Sequence, residues 1–220
     1  MEYYTIPIIK ESYLPGNSAY LYGIAAAEAT LDQGTVFNKA RLSTVVFQYD
    51  SAVFRRKGVD YGVSKQTLNR FEDTYPTPVM LTSDFIVMMS SKAWLCLNEW
   101  FLKDNLPTRT RSTYTRVYFY FYYWITAHHG QYMRPFVQIV ADISINKNKL
   151  TEAINWLCDH KLLCHTNYTF NNRENRARIF FLPVALWPDI LNERLIEQRR
   201  WVNLSKSEKN SWKTSNFSLY

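Results

Sequence analysis

Pro135-Phe-Val-Gln-Ile-Val-Ala-Asp-Ile143, then Ser144-Ile-Asn146, then Lys147-Asn-Lys-Leu-Thr-Glu-Ala-Ile-Asn-Trp-Leu-Cys-Asp-His160: the reading of this stretch decides the fold. Phe136, Ile139, Val140 and Ile143 recur at i, i+3, i+4 and i+7, which predicts a helix with one apolar face. Proline suits the first helical position, where its missing N–H has no helical partner. The three polar-leaning residues 144–146 predict a tight turn. Leu150, Ala153, Ile154, Leu157 and Cys158 then share one side of a second helix, and Lys147, Asn148, Thr151, Glu152, Asn155 and Asp159 the other. Downstream, Leu162 to Phe170 and Ala177 to Leu182 are rich in apolar, aromatic and β-branched residues, the composition of strands. Asn171-Asn-Arg-Glu-Asn-Arg176 between them predicts a turn bearing cations.

Upstream, Ser112 to His129 fits two periods. Tyr118, Phe121, Tyr122 and Ile125 suit a buried helix, whereas Val117, Phe119, Phe121 and Tyr123 alternate as in a strand. Length and the helix pair that follows favour a helix stopped at Gly130. A helix, then a helix pair, then a hairpin with a basic tip resembles the winged helix-turn-helix superfamily, over about a third of the chain. The resemblance rests on pattern and apolar spacing and reaches no family within the superfamily. It implies a mainly α, α+β fold whose C-terminal half lays its second helix in the major groove of DNA. Asn146, Lys147, Asn148, Lys149, Thr151 and Asn155 are then the candidates to face the groove. Arg173, Arg176 and Arg178, on or beside the wing, are candidates for phosphate or minor groove, with Arg109 and Arg111 as further phosphate candidates.

The formal net charge of +7 over 220 residues favours a polyanionic partner, nucleic acid or an acidic surface. Chemistry at an active site is not indicated. No glycine loop ends in Gly-Lys-Ser/Thr, no Gly-x-Ser-x-Gly elbow occurs, and the acids are scattered instead of paired for a metal. Cys158, His160, Cys164 and His165 bunch together, but their spacing matches no common zinc pattern and Cys158 belongs to the apolar side of its helix. We therefore expect no enzyme activity and no cofactor. Three cysteines without framework spacing predict free thiols in a reducing cytoplasm. No basic-then-apolar leader and no run of about 20 apolar residues is present, so neither export nor a membrane partner is expected.

In the N-terminal half, Tyr4, Ile6 and Ile8 alternate as in a short strand, and Asn17 or Ser18 is placed to cap a helix reaching about Leu31. Residues 45–54 are apolar, Arg55-Arg-Lys57 follows, and Gly58 to Gly62 predict a turn. Ser64 is placed to cap a short helix with Leu68 and Phe71 inward and Lys65, Gln66, Asn69 and Arg70 outward. Seven Lys/Arg oppose three acids between Val36 and Glu72. That face is either merely solvated or a second helix-turn-helix, with Lys65 and Arg70 as its DNA candidates. Tyr75-Pro-Thr-Pro78 is a breaker. It divides the expected organisation into 1–78 (helix-turn-helix-like module), 79–111 (connecting helix and linker), 112–202 (winged-helix domain) and 203–220 (flexible tail). Within the connector, Trp94, Leu97, Trp100 and Phe101 form an apolar stripe, either core or a surface for a homodimer. A further helix is predicted from Asp189 to about Trp201.

The expected function is sequence-specific binding of double-stranded DNA, transcription regulation first and replication initiation of a plasmid or phage second. A winged-helix adaptor that binds protein is the rival from another class.

Overall fold

Six consecutive residues, Val117 to Tyr122, are each less than one-tenth exposed. Such a run must be enclosed on every side, and in a helix it can be, because apolar residues on all faces then meet neighbours all round. The computed structural model describes residues 3–6, 18–31, 36–37, 43–83, 87–128, 130–169, 176–183 and 186. In it this run lies in helix α5 (Thr108–Ala127). Before it come β1 (Tyr3–Ile6), α1 (Ala19–Ala27), β2 (Ala29–Leu31), β3 (Val36–Phe37), β4 (Ser43–Tyr49), α2 (Ser51–Asp60), α3 (Lys65–Thr74), β5 (Val79–Ser83), β6 (Val87–Ser90) and α4 (Ser91–Lys103). After it come β7 (Tyr132–Met133), α6 (Phe136–Ile143), α7 (Lys147–Asp159), β8 (Cys164–Thr169) and β9 (Arg176–Phe181). The chain is α+β and mainly α. Its strands form small antiparallel sheets: β1 with β6; β2, β3 and β5 with β4; and β7-β9-β8.

One order recurs. A strand, a helix pair and two strands follow each other in β4–α2–α3–β5–β6 and again in β7–α6–α7–β8–β9; a helix precedes each run, α5 directly and α1 with β2 and β3 between. In both runs the strand before the helix pair bonds a strand after it: β4 with β5 (Phe47 opposite Val79), and β7 with β9 (Tyr132 opposite Phe180).

Several expectations are corrected. The helix expected to reach Leu31 stops at Ala27, and residues 29–31 pair with β4 as a strand. Gly58 lies inside α2 and not in a turn, as do Arg55 to Lys57. Asp50 starts that helix by accepting from the backbone N–H of Ala52 (2.7 Å) and Val53 (3.1 Å). Gly58 is needed there because a Cβ would lie 2.4 Å from Leu68 Cδ2, so α2 and α3 cross with almost nothing between them. Tyr75-Pro-Thr-Pro78 leads from α3 into β5, and β5 pairs with β4. Among the described residues one buried apolar cluster runs from Ala19 to Leu186. The stripe on α4 is core: Trp94, Leu97 and Phe101 are at most 2% exposed, which removes that face as a surface for a second copy. Ser64 and Ser90 cap α3 and α4, accepting from Thr67 N and Ala93 N, and Leu68 and Phe71 point inward as the sequence predicts. The predicted helix 189–201 and the tail 203–220 lie outside the described residues. Among the described residues no helix is long and apolar enough to cross a membrane.

Helix α1 sits between α4 and α5. Tyr20 donates its backbone N–H to Ser112 Oγ (3.4 Å) and its hydroxyl to Asn98 Oδ1 (2.8 Å). Gly23 lets the helix approach the Trp94 indole, whose Cη2 would stand 2.3 Å from an added Cβ. Alanine ordinarily strengthens a helix relative to glycine by about 1 kcal/mol. Here the ring is rigid and buried, so overpacking of about 1–3 kcal/mol outweighs that gain. We predict that Gly23→Ala lowers the midpoint of urea unfolding; an unchanged or raised midpoint contradicts this packing.

Candidate nucleic-acid interface

Helix α7 is amphipathic, and its two sides do separate jobs. Leu150, Ala153, Ile154 and Leu157 are fully buried. On the far side Lys147, Asn148, Lys149, Glu152 and Asn155 are exposed and Thr151 is half-buried. The structure thus brings six of the sequence-predicted residues, Asn146 to Lys149 with Thr151 and Asn155, onto one helix and its cap. They are not equivalent. Asn146 is the N-cap: its Oδ1 accepts from Asn148 N at 2.8 Å, so its acceptor is spent on the helix and not on a base. Thr151 donates its hydroxyl to Lys147 O at 3.0 Å. Among the described residues no hydrogen bond engages the side chains of Lys147, Asn148, Lys149 or Asn155.

Electrostatics single out the first turn of α7. A helix N-terminus carries partial positive charge and favours acids, yet this one bears Lys147 and Lys149 and no acid. Lysines placed against the dipole suit a surface that meets an anion. Toward the C-terminus the balance reverses with Glu152 and Asp159.

Helix α7 is held rigidly from behind. Tyr114 on α5 donates to Glu152 Oε1 at 3.1 Å. Trp156 stacks on Phe101 and donates its indole N–H to Asp104 Oδ2 at 2.7 Å; His160 Nε2 stands 3.1 Å from the same oxygen. Asp104 is the C-cap of α4, so the back of α7 is fastened to α4. Helix α6 is fixed in the same manner. Arg116 Nη2 donates to Ile143 O (2.7 Å), and Tyr120 donates its hydroxyl to Asp142 Oδ2 (2.7 Å). Arg134 Nη2 donates to Asp142 Oδ1 at 3.0 Å. Burial and the neighbouring Tyr132 and Asp142 push the Tyr120 phenol far above its ordinary range, so it stays a neutral donor. Sequence reasoning missed these positioning residues. The i, i+4 spacing of Trp156 and His160 was visible, but their partner Asp104 lies 52 residues from Trp156.

The arginines divide. Arg109 is exposed in the first turn of α5. Arg111, expected as a phosphate contact, is corrected: it is 5% exposed, donates to Leu106 O (2.6 Å) and to Tyr61 O, and lies over the Tyr20 ring. Its work is to satisfy interior carbonyls. Burial pushes the Tyr20 phenol up to about 12 even with that guanidinium opposing it. Arg178 lies on β9, beside the expected wing turn. It is half-buried, with its guanidinium 5.8 Å from the Phe136 ring centroid, because it shares strand parity with the fully buried Phe180. It is therefore turned toward α6 instead of outward from the hairpin. Arg176 opens β9 opposite Thr169, and Arg173 lies outside the described residues. Lys65 and Arg70 are exposed on α3, a separate helix pair, with Gln66 and Asn69 exposed beside them.

In the cysteine and histidine bunch, Cys158 and Cys164 are both half-buried. Burial first, then the nearby Cys164 and Asp159, pushes the Cys158 thiol up to about 11, the opposite of a reactive or ligating thiolate. Among the described residues no three Cys, His, Asp or Glu side chains stand together to hold a metal ion. Comparison with protein-family models, with curated proteins and with solved structures gives no match to this chain.

Separating cap from contact yields a prediction. Asn146→Ala loses about 1 kcal/mol of stability through the lost cap. Asn146→Asp restores it, because a carboxylate also accepts from the N2 or N3 amide. Equal unfolding midpoints for Asn146→Ala and the parent would mean that the cap carries no weight.

Proposed function

We propose that this chain binds double-stranded DNA in a sequence-specific way, with residues 108–183 acting as a winged helix and α7 as the helix that enters the major groove. One observation carries the reading. Helix α7 offers unbonded amides and two lysines outward from its N-terminal turns while Trp156 and Glu152 fasten it to α4 and α5. Base edges are read by side chains held in register, and amides and ammonium groups are the chemistry that reads them. The strand order β7-β9-β8 also supports it, since the strand before the helix pair closes onto the hairpin, as a wing requires. The net charge of +7 supplies attraction to phosphate. Regulation of transcription is the role we assign to such a reader.

A second reading, initiation of replication on a plasmid or phage, is favoured by the repeated element order. Helices α2 and α3 hold in residues 43–90 the place that α6 and α7 hold in the second run, and α3 also exposes Lys65, Gln66, Asn69 and Arg70. Two reading helices in one chain fit an origin composed of adjoining sites. This rests on arrangement, and fold alone does not fix function.

The test is affinity for duplex DNA against salt. We expect the logarithm of the binding constant to fall steeply and linearly with the logarithm of salt, as when several phosphates are neutralised. Arg173→Ala is expected to weaken all sequences about equally and to make the salt slope shallower by about 1. A chain that retains no duplex at low salt is instead a protein-binding adaptor.

A further inference from the structure

The side chains left free on α7 say what kind of sequence it reads. Asn148 and Asn155 are spaced i, i+7, so both lie near the centre of the outer face with Glu152 between them. Both are exposed, and neither amide is bonded within the protein among the described residues. An amide pairs in bidentate fashion with N6 and N7 of adenine. Guanine is read by arginine or lysine; α7 contains no arginine, and its two lysines, Lys147 and Lys149, lie in the first turn. Arg178, the nearest described arginine in the hairpin, is occupied over Phe136. Thr151 has spent its hydroxyl on Lys147 O, which leaves its methyl for apolar contact, the group that matches a thymine C5-methyl. Glu152, held by the Tyr114 hydroxyl, repels phosphate, so the middle of α7 faces base edges and leaves backbone contact to Lys147 and Lys149.

Resting on the DNA-binding reading above, we infer that the sequence recognised by α7 is built on A·T pairs, with adenines met by Asn148 and Asn155 and a thymine methyl met by Thr151. The seven-residue separation is about 10.5 Å along the helix. With about 3.4 Å per base step, a helix lying along the groove meets adenines about three base pairs apart.

Selection of bound duplexes from a random pool by the full chain tests this. The enriched sites should share two A·T pairs about three base pairs apart. Asn148→Ala should relax the preference at one of them and Asn155→Ala at the other, with the ratio of selected-site to random-duplex affinity falling about tenfold for each. Replacing thymine by uracil in the selected site should weaken the wild-type chain and leave Thr151→Ser indifferent. G·C pairs at both positions, or ratios unmoved by both asparagine variants, overturn the inference while leaving DNA binding intact. Absence of any retained duplex overturns it together with the reading on which it rests.

Discussion

The complete enclosure of α5 is the constraint on which the rest of the molecule depends. Val117, Tyr118, Phe121, Tyr122 and Ile125 are fully buried, so something must cover this helix on every side. Helices α1 and α4 cover one flank, and α6, α7 and β9 cover the other. Tyrosines give the helix bulk but also hydroxyls that need partners where water is absent. Tyr122 accepts from Ser90 N and donates to Leu186 O, and Tyr120 is met by Asp142 and Tyr132. Each such bond fixes an element that would otherwise only rest on apolar surface. Burial thus assembles the elements, and the phenols orient them.

The helix ends show how the geometry of the reading face is secured. Gly62, Asn105 and Lys161 each follow a helix with positive φ, and the next residue, Val63, Leu106 or Leu162, folds back to donate to a carbonyl of the last turn. Ser144 holds the same left-handed region between α6 and α7 at φ 49°. Glycine and asparagine adopt that conformation at little cost, while serine and lysine carry some strain. The serine is retained because the buried Ile143 and the cap on Asn146 specify both flanks of the turn. A stiff turn fixes the outer face of α7 relative to α4 and α5.

Charge is distributed to similar effect. Arginine caps backbone carbonyls at the buried Arg111 and the half-buried Arg116, and clamps a carboxylate at Arg134. On α2, Arg55 pairs with Glu72 of α3 at 2.6 Å, and Ser51 also donates to that carboxylate. Lysines and amides face outward on the first turns of α7, with Glu152 and Asp159 exposed further along. Count alone therefore overstates how many of the cations are free to meet a polyanion, and position corrects it.

Sequence by itself determined the local units: the amphipathic stripes of α3, α4, α6 and α7, the serine caps, the turn 144–146, and the strands after α7. These follow from short-range physics, in which side-chain period and capping act within a few residues. It also placed Asn148, Lys149 and Asn155 outward, because a helix with one apolar side leaves only the other for polar groups. Length and the following helix pair already favoured a helix for α5 over its β-branched and aromatic content, and the tertiary structure supplies the reason, since enclosure on all sides outweighs local propensity. Gly58 within a helix, a strand at residues 29–31, Arg111 turned from surface to interior and Arg178 drawn over Phe136 were decided by the tertiary structure. In each case the deciding partner, whether Leu68, β4, Tyr61 or Phe136, is distant along the chain, and no period in the sequence points to it.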